Sequence, residues 1–170
     1  VYDAMRIEFM TNIEIIEQAL EELKLRDSLL ISNNTHERSI AHRLAIYIEN
    51  IVNRIYSKDC WEVDCEYNRS GIRHDPKVLH IKERAREIGK EIKTIEKTKV
   101  YPDIIVHKRG YQKGLIAIEV KRIGLDCKYD EIKLKEYKMQ LGYETAVLVK
   151  YGVTGRGVNK KIETEIKEIK

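Results

Sequence analysis

Two short apolar runs that end in charge constrain this chain more than any other feature. The first is Tyr101-Pro102-Asp103-Ile104-Ile105-Val106, and sixteen positions after Asp103 the second closes as Ile118-Glu119-Val120-Lys121. Ile104 to Val106 and Leu115 to Val120 are short and rich in β-branched residues, the pattern of buried strands. His107 to Gly114 holds two glycines and several charges, so it reads as a hairpin connection. Side chains alternate faces along a strand, which puts Glu119 and Lys121 on one face and Ile118 and Val120 on the other. Pro102 has no N–H to donate and suits a strand start or bulge, a place from which Asp103 can be aimed. A buried strand ending in Glu-x-Lys is odd for folding alone, because charges taken from water need partners. Glu119 and Lys121 could pair with each other and Asp103 could cap a turn. In this strand context the three together read as a cation site beside an ammonium group, the minimum equipment for hydrolysing a phosphodiester.

Two helices precede these strands. Residues 3–25 repeat Phe9, Ile13, Ile16, Leu20 and Leu23 at steps of three and four, and residues 35–56 carry the stripe Ile40, Ala41, Leu44, Ala45, Ile48, Ile51, Val52 and Ile55. Asp27 to Asn34 separates them. Glu37 lies three residues before Ile40 and four before Ala41, hence on the core side of the first turn. Two readings stand. Glu37 can complete a capping box with Asn34 as N-cap, or it can reach the candidate site, with His36, Arg38, His42 and Arg43 near phosphate.

Trp61 to Tyr67 alternates and reads as the first strand of the sheet. Asn68 to Lys99 is poorly patterned and carries 10 Lys/Arg against 5 Asp/Glu, with His74 and His80. Within it Ile81 to Ile95 has partial helical character through Ala85, Ile88 and Ile92. The segment reads either as a backbone clamp for nucleic acid or as a solvated excursion. Tyr129 to Leu141 is a predicted helix with Leu134, Tyr137 and Leu141 on one side, a basic surface from Lys128, Lys133, Lys135 and Lys138, and a stop at Gly142. Ala146 to Val149 forms the heart of a last buried strand, Gly152 to Gly157 a turn without phosphate-loop spacing, and residues 158–170 a basic, mildly amphipathic final helix.

Charge is uneven. Residues 1–60 hold 7 Lys/Arg and 10 Asp/Glu, while the rest hold 25 and 18, which accounts for the net +4. A basic C-terminal portion beside a cation site favours a polyanionic partner, although lysine- and glutamate-rich surfaces are also common without one. At 170 residues, 42% hydrophobic and 35% charged, the chain suits one folded domain and not a disordered one. No apolar run reaches transmembrane length and no signal peptide is visible, so a cytoplasmic location without membrane association is expected. Cys60, Cys65 and Cys127 form no CxxC pair. They read as buried reduced thiols, with a zinc site the lesser alternative.

The order helix, strand, strand, strand, helix, strand, with Glu37 on the helix, Pro102-Asp103 on the second strand and Glu119-Val120-Lys121 on the third, resembles the PD-(D/E)XK nuclease superfamily. His36-Glu37-Arg38 and Glu66-Tyr67-Asn68-Arg69 look closest to small nuclease-like members. The resemblance spans about residues 35–151. It implies a restriction-endonuclease-like αβββαβ core, a mixed sheet flanked by helices, with residues 1–34 as an N-terminal helical extension and 68–99 as a basic insertion. It further implies that Asp103, Glu119 and the Val120 carbonyl bind Mg²⁺ or Mn²⁺, that Lys121 orients the attacking water, and that Glu37 positions a second metal or a metal-bound water. The expected activity is hydrolysis of DNA, RNA not excluded, by an endonuclease, and double-strand cleavage would suit a homodimer formed through the N-terminal helix. Arg38, His42, Arg69, Lys133, Lys135 and Lys138 are the expected nucleic-acid contacts. The competing readings are a silent nucleic-acid-binding module of the same fold, and a structural protein whose charged cluster is an ion-pair network.

Overall fold

Alternating and β-branched runs build a five-stranded mixed sheet, and the amphipathic segments cover its two faces. The computed structural model describes residues 10–56, 59–73, 75–81, 96–155 and 160–170. Helices α1 (Asn12–Arg26), α2 (Ser28–Ser32) and α3 (Glu37–Ile55) come first. Strands β1 (Glu62–Cys65), β2 (Arg69–Ser70), β3 (Asp75–Pro76), β4 (Val78–Ile81), β5 (Glu96–Lys99), β6 (Ile104–His107) and β7 (Gly114–Arg122) follow. Helix α4 (Lys128–Leu141) then leads to β8 (Thr145–Thr154) and β9 (Lys161–Glu168).

The sheet order is β1-β6-β7-β8-β9, and two small ribbons, β2-β3 and β4-β5, stand apart from it. β7 and β8 are parallel, joined by the α4 crossover, while β1-β6, β6-β7 and β8-β9 are antiparallel. The core thus follows the helix–strand–strand–strand–helix–strand order expected of it, with helices ahead of it in the chain. Central strands covered on both faces lose the in–out alternation and become continuously apolar. Leu115 to Ile118 and Ala146 to Val149 do so, and every one of them is buried.

Strand parity divides the core. Ile104, Val106, Ile116, Ile118, Val120, Val147 and Val149 face α1 and α3. Ile105, Ala117, Ala146 and Leu148 face α4, where Ile132, Leu134 and Tyr137 meet them. Each fully buried aliphatic side chain contributes about 1.5–3 kcal/mol. Gly114 leaves room for a ring, since a Cβ there would overlap Tyr143.

Residues 3–9 of the expected first helix lie outside the described residues, and the described helix begins later. It starts at Asn12 because Thr11 and Glu14 cap each other reciprocally, and it buries Ile15, Ile16, Ala19, Leu20 and Leu23. Phe9 and the Ala85, Ile88 and Ile92 stretch lie outside the described residues. The third helix begins at Glu37 with His36 as N-cap and no side-chain cap bond. Asn34 sits in the left-handed region at φ 53°, so the capping box with Asn34 and Glu37 does not form.

Lys161–Glu168 is a strand and not the final helix expected of residues 158–170. It pairs with the free edge of β8, from Thr154↔Lys161 to Val147↔Glu168. Ile162, Thr164 and Ile166 are half-buried in a period of two, the isoleucines packing on the core, while the charges between them face water, a pattern that also blunts the new edge.

Candidate active site

The Ile104↔Ile118 register sets Asp103, one step before β6, beside Glu119 on the α4 face of β7. Beyond that step β6 no longer covers β7. The Asp103 carboxylate takes over the ladder there, its Oδ2 accepting the Val120 N–H at 2.7 Å. A strand residue's N–H and C=O leave by the same edge, so the Val120 carbonyl also faces the Asp103 side. Burial raises the Asp103 pKa, and the Val120 N–H only partly offsets it.

Glu119 is 3% exposed, a carboxyl in the middle of a hydrophobic strand. Its Oε1 accepts the Tyr137 hydroxyl at 2.8 Å, and its Oε2 accepts the Lys133 ammonium at 2.7 Å. Burial pushes the Glu119 carboxyl up to about 7, against the pull of Lys133. The Lys133 ammonium also lies 3.0 Å from Asp130 Oδ1. Desolvation opposes its charge, but Glu119 and Asp130 outweigh that and raise its pKa.

Lys121, on the same face as Glu119, lies 3.3 Å from Asp130 Oδ2 and 3.5 Å from Glu37 Oε2. The two acids overcome desolvation and raise the Lys121 pKa. Glu37 comes from the other side of the sheet, reaching round the end of β7, where its Oε1 accepts the Arg122 N–H at 3.1 Å. The first residue of α3 is therefore tied to the last residue of β7.

These contacts link Glu37, Asp103, Glu119 and Asp130 with Lys121 and Lys133. With all groups ionised, four carboxylates face two ammonium groups, which leaves two negative charges. The donors are hard oxygens without imidazole or thiolate. One divalent cation would offset that surplus, and an all-oxygen donor set is the type that hard cations take.

Not every expected side chain joins this cluster or lies free. Lys133 points inward to Glu119 and Asp130 rather than outward as a phosphate contact. Lys138 donates to the Ile169 carbonyl at 3.0 Å, and Arg38 pairs with Glu66 at 2.8 Å. His42, Arg69 and Lys135 are exposed. Cys60 and Cys65 are exposed too, against the expectation of buried thiols, and all three cysteines are free. The sequence reading missed Asp130 and Tyr137. Both lie on the α4 face that carries Lys133, at the three- and four-residue steps of a helix.

A second titratable group lies further along β6, about 13 Å from Asp103 by the rise of a strand. Glu62, Asp64 and His107 place their ligand atoms within 4.8 Å of one another and could hold a divalent cation. His107 Nε2 is 2.8 Å from Asp64 Oδ2. Arg109 bridges the two acids, 2.6 Å from Asp64 and 2.9 Å from Glu62, and offsets one of their two negative charges. Burial lowers the His107 pKa, although Asp64 pulls the other way. The signal was present in Glu62-x-Asp64, an alternation that puts both acids on one strand face.

No family model matches the chain, and neither the curated proteins nor the solved structures provide a match. The mixed α/β architecture and the Glu62, Asp64 and His107 cluster are consistent with a restriction-endonuclease-like arrangement and with a metal-binding, hydrolase-like site. Among the described residues no helix is long and apolar enough to cross a membrane.

Proposed function

We propose that the chain is a metal-dependent nuclease of the PD-(D/E)XK type, an endonuclease that hydrolyses DNA phosphodiester bonds. The observation that carries this reading is Glu119. A carboxyl 3% exposed in a central strand, beside Asp103 and one face-step from Lys121, is costly for folding. Sites of chemistry are where such costs are retained.

Asp103, Glu119 and the Val120 carbonyl are the groups that would hold Mg²⁺ or Mn²⁺. A bound ion of this kind lowers the pKa of its water and neutralises charge on the phosphate. Lys121 supplies a positive charge for the phosphate oxygens and orients the attacking water. Glu37 and Asp130 hold the Lys121 ammonium from two sides, which limits its freedom at little further entropic cost. Lys133 keeps Asp130 as a partner when Glu119 engages a cation. Exposed His42, Arg69 and Lys135, together with Arg38, are the side chains assigned to the nucleic-acid backbone in this reading.

The ion-pair network reading has one observation in its favour, because Lys133 and Tyr137 already satisfy both Glu119 oxygens. Incubation with plasmid, single-stranded and branched DNA plus Mg²⁺ or Mn²⁺ separates the two. The nuclease reading expects metal-dependent cleavage that Lys121→Ala and Asp103→Asn abolish without unfolding the chain. An absence of cleavage together with an absence of Mn²⁺ binding heat selects the ion-pair network.

A further inference from the structure

Away from the acidic cluster, the β2-β3 hairpin, the β6-β7 turn and the C-terminal end of α4 enclose a cleft of about 750 Å³. Ile72, Arg73, Lys77, Tyr111 and Gln112 are among the residues that line it. Two of these are large apolar side chains left in water, Ile72 at 87% and Tyr111 at 67% exposure. Neighbouring exposed apolar groups at a concave site mark a binding surface more often than chance. The cleft is braced, because the Gly71 N–H donates to the Tyr111 carbonyl at 3.3 Å and ties the hairpin tip to the turn. Gly71 adopts φ 65°, a conformation that suits glycine in such a tip.

Its described lining carries three charged side chains, Arg73, Asp75 and Lys77. Arg73 is exposed at the tip, whereas Lys77 is buried in the wall, its ammonium donating to the Tyr67 and Arg69 carbonyls at 3.1 and 2.6 Å, and burial lowers its pKa to about 8. Asp75 is the acid that opposes them. The surface therefore offers an exposed aromatic ring and an exposed guanidinium in one cleft, which suits a ligand with a planar ring and an adjoining anion. A nucleotide has both. Aromatic side chains stack any base, and nearby basic groups track its phosphate. A base inside a duplex presents no free face, so the ligand must be unstacked.

We propose that this cleft binds one unstacked nucleotide of a single-stranded nucleic acid, its base on Tyr111 and Ile72 and its phosphate beside Arg73. Gly114 and Glu119 are five residues apart on β7, which sets the cleft on the order of 20 Å from the acidic cluster. An extended strand covers that span in a few nucleotides. Where it rests on the nuclease reading, the inference names a single-stranded segment as part of the substrate, anchored a fixed distance from the bond that is cut.

Fluorescence anisotropy of labelled oligothymidylate and of a duplex, titrated with the whole chain at low salt in Ca²⁺, tests this. Tyr111→Ala is expected to weaken single-strand binding about tenfold, Tyr111→Phe to preserve it, and neither to move the melting temperature. Arg73→Ala is expected to reduce the log–log salt slope by about 0.7 on the single strand. Failure of the native chain to bind oligothymidylate, or native affinity in Tyr111→Ala, overturns the proposal. Equal loss on single strand and duplex also overturns it. Loss of binding in Tyr111→Ala in a chain that never cleaves leaves the cleft standing and removes the nuclease reading. Cleavage by a chain whose binding ignores Tyr111 does the reverse.

Discussion

Lys133→Met tests whether the Lys133 ammonium stands in the place of a cation. Met has similar length and no charge, so the substitution keeps most of the packing on α4. In the native chain Lys133 Nζ lies 2.7 Å from Glu119 Oε2 and 3.0 Å from Asp130 Oδ1. Its removal leaves Glu119, 3% exposed, with the Tyr137 hydroxyl as its remaining partner and with Asp103 nearby. Removing one partner of a buried ion pair costs about 3–5 kcal/mol. Glu119 can escape part of that cost by taking a proton, the more readily because its pKa already stands at about 7. The expected loss is therefore about 3 kcal/mol at pH 8 in EDTA, and clearly less at pH 5.

For a domain of this size about 3 kcal/mol corresponds to a fall in melting temperature of roughly 6–12 °C. Mn²⁺ then supplies the missing positive charge. At a hundred times its Kd a ligand stabilises by about 2.7 kcal/mol, enough to return most of the loss. The native chain must move Lys133 aside to admit the ion, so Mn²⁺ should raise the melting temperature of the variant more than that of the native chain. Differential scanning fluorimetry at both pH values, with EDTA and with Mn²⁺, reads all of this. A variant as stable as the native chain at pH 8, or a Mn²⁺ shift larger in the native chain, refutes the placement of Lys133 in the cation site.

The pH dependence carries its own prediction. A carboxyl whose folded pKa is raised from 4.5 to about 7 contributes stability that is complete below about 4.5 and lost as pH rises through about 7. For Glu119 the swing is about 3 kcal/mol, so the stability difference between the native chain and Glu119→Gln should drift by that amount across the window in EDTA; a flat difference contradicts the burial argument. Glu37→Gln keeps an acceptor for the Arg122 N–H but loses the charge beside Lys121. Cleavage should drop about tenfold with under about 1 kcal/mol of stability lost, whereas a loss of about 1 kcal/mol with cleavage intact would assign Glu37 a helix-end role. Gly114→Ala drives a methyl into the Tyr143 ring and should cost about 2 kcal/mol by thermal melting. An unchanged melting temperature would show that the ring has somewhere else to go.

The strands were legible where burial on both faces left a single reading. Leu115 to Ile118 and Ala146 to Val149 are continuous apolar runs with charge or a turn at their ends, and no exposed element tolerates that. The stripe on α3 was equally plain, since its buried residues recur at helical steps. Lys161–Glu168 failed because its period of two rests on Ile162, Thr164 and Ile166 alone, within a lysine- and glutamate-rich composition that suits a helix. The open edge of β8 decided it, and pairing across the sheet leaves no local trace in the sequence. The β2-β3 and β4-β5 ribbons escaped for the same reason, each too short to declare itself without its partner.

In the candidate site, parity along one strand was enough to place Glu119 with Lys121, and hairpin register brought Asp103 to them. The contribution of α4 was not visible in this way. Asp130 and Lys133 look like surface charges on a polar helix, and nothing in their spacing says which side meets the sheet. A physical demand on Glu119 would have found them. A carboxylate at that depth needs donors, because an unpartnered buried charge costs several kcal/mol. β7 is parallel to β8, and the crossover that joins them lays α4 over the Glu119 face. A donor one turn from Asp130 and another one turn further on, Lys133 and Tyr137, then become the natural partners. Asking each buried charge where its partners come from reads part of the tertiary structure that periodicity alone leaves hidden.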